Sequence, residues 1–364
     1  MFHFIMTFGW TLMNAYAFWR IATLSFVTRR SARVAVGVFG VLMWSTTWVH
    51  RWFEDRGRMF WSDLFEFVAM NWLGAVFILC TCFLVVDVPT VFGLVFRKRA
   101  RALRTGAFIL WLIVCSVAFT QGMRAPVVRD HEVRLAGLPD TLDGAVLVAV
   151  SDMHLGALIG EDWVDARVEQ INALEPDMIC TLGDIVEGHG DGTREQPMAE
   201  AMRGLHAPLG VWGVTGNHEH HGDMDSGVRF HQEAGIRLLR NEWREVAPGL
   251  VVAGVDRGMG VDWDRVVTTS LKDRPDAATI LLSHRPLDAE TAAAEGVGLM
   301  LSGHTHGGQI WPFNMVVARR NPYVAGGYDV GDMRLIVCRG TGTWGPRMRL
   351  WRASEILRIT LRAE

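Results

Sequence analysis

The sequence predicts an α/β domain of layered strands and helices, preceded by a bundle of about four transmembrane helices. Four long apolar stretches lie before residue 124, and short β-branched runs alternate with candidate helices beyond residue 142. Residues 1–124 carry 13 Lys and Arg against 5 Asp and Glu, a balance of +8, and the remainder balances at −11 to give the −3 of the whole chain. We predict a transmembrane region over residues 1–124, a connector with a lead-in strand over residues 125–142, and one domain over residues 143–364.

Composition excludes several classes of protein. With half of its 364 residues apolar, the chain is neither disordered nor collagen-like. Its five cysteines are an odd number and three lie in apolar runs, which argues against a disulfide-stapled secreted scaffold. Ten of the thirteen histidines lie between His154 and His306, in the acidic part of the chain. That composition indicates metal binding rather than a nucleic-acid clamp, and no obligate protein partner is predicted.

The transmembrane helices are predicted from length, because about 20 apolar residues are needed to cross roughly 30 Å of hydrocarbon. The first run lacks a basic leading region and an Ala-x-Ala-like cleavage site, so it does not resemble a removable signal peptide. Tryptophans at the ends of several runs suit the aromatic belt of a membrane interface. The four predicted spans are residues 2–27, 34–50, 65–96 and 106–123.

Positive loops set the predicted orientation. The loops after the first and third runs together carry eight Lys and Arg residues, which places them in the cytoplasm and the α/β domain outside the cell. Arg124, Arg129 and Arg134, just after the fourth run, favour the opposite placement.

Arg20 and Asp87 are ionisable residues within the predicted spans. Arg20 is expected to extend its side chain to the membrane surface. Asp87 is either a functional intramembrane carboxylate or, as the following Pro89 favours, the solvated end of a helix.

The α/β domain is predicted from alternating elements. Apolar residues follow three- and four-residue steps over residues 161–174, which indicates a helix with one buried face. Weak alternation over residues 130–135 indicates the lead-in strand. Eight further strands are predicted at residues 145–150, 178–182, 211–214, 251–255, 279–282, 299–301, 335–337 and 356–361.

Five of these strands run directly into loops that begin with potential metal ligands, and strand ends are where α/β folds place their chemistry. A mix of carboxylate, amide and imidazole groups can hold two cations about 3.5–4 Å apart, with one carboxylate bridging them. Imidazole-rich ligation favours manganese, iron or zinc over magnesium or calcium. The candidate ligands are Asp152, His154, Asp184, Asn217, His284, His304 and His306.

Some residues near these motifs leave two interpretations open. His220 and His221 either touch substrate phosphate or are ordinary exposed histidines. Trp311 and Trp344 either line a groove for an apolar part of a substrate or pack in the core.

The motifs D-x-H, G-D, G-N-H-E, a solitary His and G-H-x-H occur in this order, and together they resemble the signature of the calcineurin-like metallophosphoesterases. The resemblance covers about two thirds of the chain, from Leu135 to the C-terminus. The blocks GHTHGGQIWPF and RGTGTWGPRMR resemble the membrane-associated bacterial branch, whose catalytic domain follows N-terminal transmembrane helices. One departure is Arg347, where that branch leads us to expect proline; it bears only on substrate contacts.

The resemblance implies a four-layer α/β/β/α sandwich with two divalent transition-metal ions. One ion would be held by Asp152, His154, Asp184 and His306, and the other by Asp184, Asn217, His284 and His304. Hydroxide shared by the ions would attack phosphorus. His218 would donate a proton to the leaving group, the alternative being a purely structural role.

We therefore expect a phosphoesterase anchored in the bacterial cell membrane that hydrolyses phosphodiester, pyrophosphate or phosphomonoester bonds of a lipid-linked or envelope substrate. A UDP-2,3-diacylglucosamine-type pyrophosphate hydrolase is one alternative, but it acts at the cytoplasmic face and conflicts with the predicted orientation. A non-enzymatic, membrane-tethered interaction module is another, although the complete ligand set counts against it. A transporter or sensor with a regulatory phosphoesterase lacks an evident conduction path.

Overall fold

A computed structural model of the chain describes residues 2–187, 195–221, 224–256 and 263–364. The chain divides into two compact units. The helical unit comprises Met1–Met123 and Gly345–Leu350, and the α/β unit comprises Arg124–Trp344 and Trp351–Glu364.

Four long helices build the helical unit. Among the described residues, three helices are long and apolar enough to cross a membrane: Arg30–Glu54, Met59–Asp87 and Arg97–Met123. The span at residues 2–27 stays a prediction, and its helix ends at Ile21. The third span ends at Asp87 rather than at residue 96, because Pro89 has no N–H to continue the helix. The helices are α1 (Phe2–Ile21), α2 (Arg30–Glu54), α3 (Met59–Asp87) and α4 (Arg97–Met123), with a 3-10 turn at Val91–Gly93 between the last two.

Asp87 is buried and ion-paired, so the prediction of a solvated helix end is wrong for its side chain. It is 0% exposed, and its carboxylate lies 2.5 Å from Arg20 Nε and 2.7 Å from Arg104 Nε. The Tyr16 hydroxyl donates a hydrogen bond to the same carboxylate at 2.6 Å. Arg20 is itself buried, which corrects the expectation that it reaches the membrane surface. A buried carboxylate is tolerated here because two cations and a hydroxyl surround it.

The departure at Arg347 has a structural role in the helical unit. Arg347 is buried, and its backbone N–H donates to Asn71 Oδ1 of α3 at 3.0 Å. Proline has no N–H and would lose this bond. The departure therefore affects packing against the helices, and not only substrate contacts as the sequence suggested.

In the described residues, the α/β unit contains two six-stranded sheets. The strands are β1 (Val127–Leu135), β2 (Val146–Val150), β3 (Met178–Thr181), β4 (Val211–Gly213), β5 (Arg237–Leu238), β6 (Glu242–Ala247), β7 (Leu250–Val255), β8 (Ala278–Ser283), β9 (Leu299–Ser302), β10 (Gly326–Val330), β11 (Met333–Val337) and β12 (Glu355–Ala363). The first sheet has the order β1-β12-β2-β3-β4-β5 and the second β10-β11-β9-β8-β7-β6. The helices are α5 (Glu161–Asn172), α6 (Gln196–Met202), α7 (Asn217–His221), α8 (Met224–Glu233), α9 (Trp263–Ser270), α10 (Ala289–Ala294) and α11 (Asn314–Val317), with 3-10 turns at Asp140–Leu142 and His306–Gly308.

Three apolar layers hold the sheets and helices together. Side chains alternate across a strand, so Leu147 of β2 packs between the sheets while Val148 faces the helices outside. The core between the sheets includes Leu147, Leu282 and Leu301 from both sheets. Helices α5, α6 and α8 cover the outer face of the first sheet, and α9 and α10 cover that of the second. The predicted α/β/β/α sandwich is confirmed.

Three strands escaped prediction, and all three lie at sheet edges. Strand β5 closes the first sheet, and β6 and β10 are the two edges of the second. Their residues are half-buried or exposed rather than continuously apolar. An edge strand needs no long apolar run, since one side of its backbone is unpaired.

Candidate metal centre

The predicted ligands follow strands whose carboxyl ends meet. Strands β2, β3 and β4 are parallel in one sheet, and β8 and β9 are parallel in the other. The loops after these five strands carry the seven candidate ligands. Left-handed backbone, which turns a side chain sharply away from the strand direction, occurs at five of them: Asp152 (φ 51°), His154 (φ 52°), Asp184 (φ 50°), His304 (φ 72°) and His306 (φ 51°). Such conformations are concentrated at functional sites.

Asp152, His154 and His306 form the first ligand cluster. One side-chain donor atom from each lies within 4.8 Å of the others. His154 Nε2 is 3.1 Å from His306 Nε2, which in turn is 3.3 Å from Asp152 Oδ1. The Ser151 hydroxyl donates to Asp152 Oδ2 at 2.5 Å and fixes the carboxylate. The donor atoms of the cluster are thus aimed at one another.

Asp184, His284 and His304 form the second cluster, again within 4.8 Å of one another. His284 Nε2 lies 3.1 Å from Asp184 Oδ2 and 3.2 Å from His304 Nδ1. His284 Nδ1 lies 2.8 Å from the carbonyl oxygen of Leu182, which can only accept a hydrogen bond. Nδ1 therefore donates to that carbonyl oxygen, and Nε2 is the ring nitrogen that faces the cluster.

The chain matches the family model described as calcineurin-like phosphoesterase over residues 145–308, which include all seven candidate ligands. It is 31% identical over 338 residues to the Bos taurus transmembrane protein with metallophosphoesterase domain, an alignment that covers 82% of this chain and 74% of the relative. The chain belongs to the calcineurin-like phosphoesterase family.

Several other relatives of this calcineurin-like phosphoesterase are bacterial. An uncharacterized metallophosphoesterase of Campylobacter jejuni is 30% identical over 270 residues, covering 71% of this chain and 70% of the relative. The solved structure of TT1561 from Thermus thermophilus matches with a TM-score of 0.38 at 14% identity, covering 54% of this chain and 90% of that one. The family resemblance drawn from the five motifs is confirmed.

The donor set of this calcineurin-like phosphoesterase fits metal ions. Asn217 Oδ1 is buried and has no hydrogen-bond partner among the described residues. A buried amide oxygen without a partner is costly unless something unseen binds it, and a cation satisfies that need. Nitrogen and oxygen donors together suit manganese, iron or zinc. The assignment of each ligand to one of two ions, with Asp184 bridging them, stays a prediction.

The two aspartates differ in their ionisation. Burial is the strongest influence on both and acts to raise the pKa. For Asp152 burial prevails over the opposing charge of His284, and the pKa is raised. For Asp184 the charge and hydrogen bond of His284 outweigh burial, and the pKa lies well below its ordinary value. Two buried carboxylates repel each other, so a bound cation would allow both to be ionised.

Glu187 was missed by the sequence prediction, although it lies in the motif LGDIVEG. Its carboxylate bridges two histidines, at 3.0 Å from His154 Nδ1 and 2.9 Å from His218 Nδ1. Burial acts to lower the pKa of His218, but the hydrogen bond to Glu187 and the charge of Asp184 raise it to about 9. Its place three residues after the candidate ligand Asp184 was the only signal in the sequence.

Glu219 of the G-N-H-E motif has no role predicted from the sequence, and the structure supplies one. Its side chain is 0% exposed and accepts hydrogen bonds from the backbone N–H groups of Asp184 (3.0 Å), Ile185 (2.7 Å) and Gly216 (2.7 Å). These donors belong to the loops that carry Asp184 and Asn217. Glu219 therefore ties two ligand loops together.

His220 belongs to a separate polar network. Its Nε2 lies 2.8 Å from Asp256 Oδ1, which also accepts from the Thr215 hydroxyl at 2.6 Å. Arg240 Nε lies 2.5 Å from the other Asp256 oxygen. Burial acts to raise the pKa of Asp256, but hydrogen bonds from His220, Thr215 and Arg240 hold it well below its ordinary value. His220 is thus bound to a carboxylate beside the loop that carries Asn217.

We expect Glu187→Gln to slow hydrolysis of a phosphate ester with a poor leaving group by about 10–100-fold. This is the usual effect of losing a group that orients a metal ligand or a proton donor. An ester of p-nitrophenol should lose much less, because p-nitrophenolate leaves without protonation. Steady-state rates on phenyl and p-nitrophenyl esters measure the difference, with Glu169→Gln on the surface of α5 as the matched control. Equal losses on both esters would contradict a role of Glu187 in positioning His218.

Proposed function

We propose that the chain is a membrane-anchored phosphoesterase that uses two divalent transition-metal ions to hydrolyse a phosphodiester, pyrophosphate or phosphomonoester bond. The observation that supports the proposal is that two three-residue ligand clusters lie at the carboxyl ends of strands from both sheets. His218 lies beside them, 4.7 Å from His154 between ring centroids.

The residues of the site have separable tasks. Two bound cations would neutralise phosphoryl oxygens and make hydroxide available near neutral pH. Asp152, His154 and His306 would hold one cation, Asn217, His284 and His304 would hold the other, and Asp184 would serve both. His218, kept protonated and oriented by Glu187, would give its proton to the leaving group.

We further propose a lipid-linked or envelope substrate and a location in the bacterial cell membrane with the α/β unit outside. The helices that can cross a membrane support a lipid-linked substrate, because a membrane anchor would keep the site near the lipid headgroups, and the positive loops support the placement outside. The cytoplasmic alternative, cleavage of a UDP-2,3-diacylglucosamine-type pyrophosphate, requires the opposite orientation. A reporter fused after residue 364 distinguishes the two.

Metal dependence tests the proposed function. Full-length protein purified in detergent should contain about two transition-metal equivalents and hydrolyse bis(p-nitrophenyl) phosphate. A chelator should abolish hydrolysis, and manganese, iron or zinc should restore it. His206→Ala, an exposed histidine outside the clusters, is the control and should keep the parent's metal content. Metal-free protein with an unchanged fold, or hydrolysis that survives the chelator, would refute the proposal.

A further inference from the structure

The α/β unit exposes a compact group of apolar side chains directly after the G-H-x-H motif. Trp311 is 43% exposed, Phe313 43%, Met315 56% and Val316 45%. Four large apolar side chains facing solvent within six residues exceed the scattered exposure that is ordinary for protein surfaces. We name residues 311–320 the aromatic segment. The alternative that Trp311 packs in the core is wrong.

The aromatic segment is connected to the mouth of the candidate metal centre. Gln309, just before it, donates from Nε2 to the carbonyl oxygen of Trp344 and accepts from the Trp344 N–H, both at 3.0 Å. Trp344 is 46% exposed, and its ring centroid lies 6.0 Å from that of His218. Gln309 therefore links the start of the segment to an exposed tryptophan beside the proposed proton donor.

The composition of the segment favours a lipid surface. Tryptophan and phenylalanine partition into the headgroup region of a bilayer. Two exposed arginines, Arg319 and Arg320, end the segment and complement anionic headgroups, at about 1 kcal/mol for each residue near the surface. The α/β unit is also tethered close to a bilayer by sequence, because α4, which can cross a membrane, ends at Met123 and β1 begins at Val127. A protein partner would also cover the apolar side chains, but the short connection to α4 favours a bilayer.

We propose that the aromatic segment docks into the headgroup region of an anionic bilayer, where it presents the phosphoester of a lipid headgroup to the metal centre. The lipid substrate rests on the proposed function, whereas the docking itself does not.

Fluorescence in nanodiscs tests the docking. The full-length variant Met315→Cys, labelled with a polarity-sensitive dye, is placed as single copies in discs of phosphatidylcholine with or without phosphatidylglycerol. The control is Lys272→Cys, an exposed position just past the end of α9. Because α9 connects two parallel strands, it leads to the end of the sheet opposite the candidate metal centre. Labelling of native cysteines is subtracted with the parent chain. We expect a blue shift and quenching by brominated lipids at position 315, stronger with phosphatidylglycerol, and neither at position 272.

Two results would overturn the docking. One is a label at position 315 that stays as exposed to water as the label at position 272. The other is a shift that appears only when two copies share a disc, which assigns the segment to self-association. Neither readout depends on turnover, so an inactive protein with a quenched label would overturn the proposed function alone.

Hydrolysis tests the lipid substrate. Trp311→Ser should lower the rate on a lipid phosphoester in the disc about tenfold, the loss expected from removing a large apolar side chain that docking would bury. Its rate on soluble bis(p-nitrophenyl) phosphate, measured in the same discs, separates a docking defect from a damaged site. An undiminished rate on the lipid would overturn the presentation of substrate by the segment.

Discussion

Asp184→Asn is expected to lower hydrolysis of bis(p-nitrophenyl) phosphate by well over about 100-fold, since losing even a group that only orients a metal ligand costs 10–100-fold. Asp184 is 2% exposed, and its Oδ2 lies 3.1 Å from His284 Nε2. The amide keeps the shape of the side chain and one acceptor oxygen. It loses the negative charge that two adjacent cations would share, so bound metal should fall together with the rate.

Metal analysis and steady-state rates on the same preparation measure both effects. Asp165→Asn, on the exposed surface of α5, is the matched control and should behave as the parent does. Asp184 Oδ1 also accepts a hydrogen bond from the backbone N–H of His218 at 2.8 Å. Thermal unfolding must therefore show that the variant is folded. Retained turnover in a folded variant would show that Asp184 does not bridge two ions.

The candidate ligands could be found in the sequence because each follows a buried strand, and a buried strand has a short apolar run as its sequence pattern. Glu187 and Glu219 escaped because their partners are distant in sequence or are backbone groups. Glu187 contacts His154 and His218, which lie 33 and 31 residues away. Glu219 binds N–H groups that a residue pattern does not register. Side chains that position ligands are therefore harder to predict than the ligands.

The helical unit was also only partly predictable from its sequence. Hydropathy located α3 but did not predict its C-terminal end, because residues 88–96 remain mostly apolar after the helix ends at Asp87. Solvation of Asp87 was inferred from its place beside Pro89. Pairing with Arg20 and Arg104 depends on how α1 and α4 pack, which a helix-by-helix interpretation does not contain.

We expect Asp87→Asn to destabilise the helical unit by about 3–5 kcal/mol, the usual cost of removing one partner from a buried ion pair. Arg20 and Arg104 are 2% and 7% exposed, so both cations would stay buried after their shared counter-ion is lost. A thiol-reactive dye measures the unfolding temperature, because Cys80 and Cys82 of α3 and Cys115 of α4 become accessible when these helices separate. Asp55→Asn, at the exposed C-cap of α2, is the matched control.

A triple variant separates charge from packing. If the loss in Asp87→Asn comes from uncompensated arginines, then Arg20→Met, Asp87→Leu and Arg104→Met together should recover most of the stability, because replacing all members of a buried ionic group by apolar side chains is often neutral. If the group instead fixes the arrangement of α1, α3 and α4, the triple variant should unfold without a single cooperative transition. An unfolding temperature for Asp87→Asn equal to that of the parent would contradict both, since it would mean that the arginines find water or other acceptors at no cost.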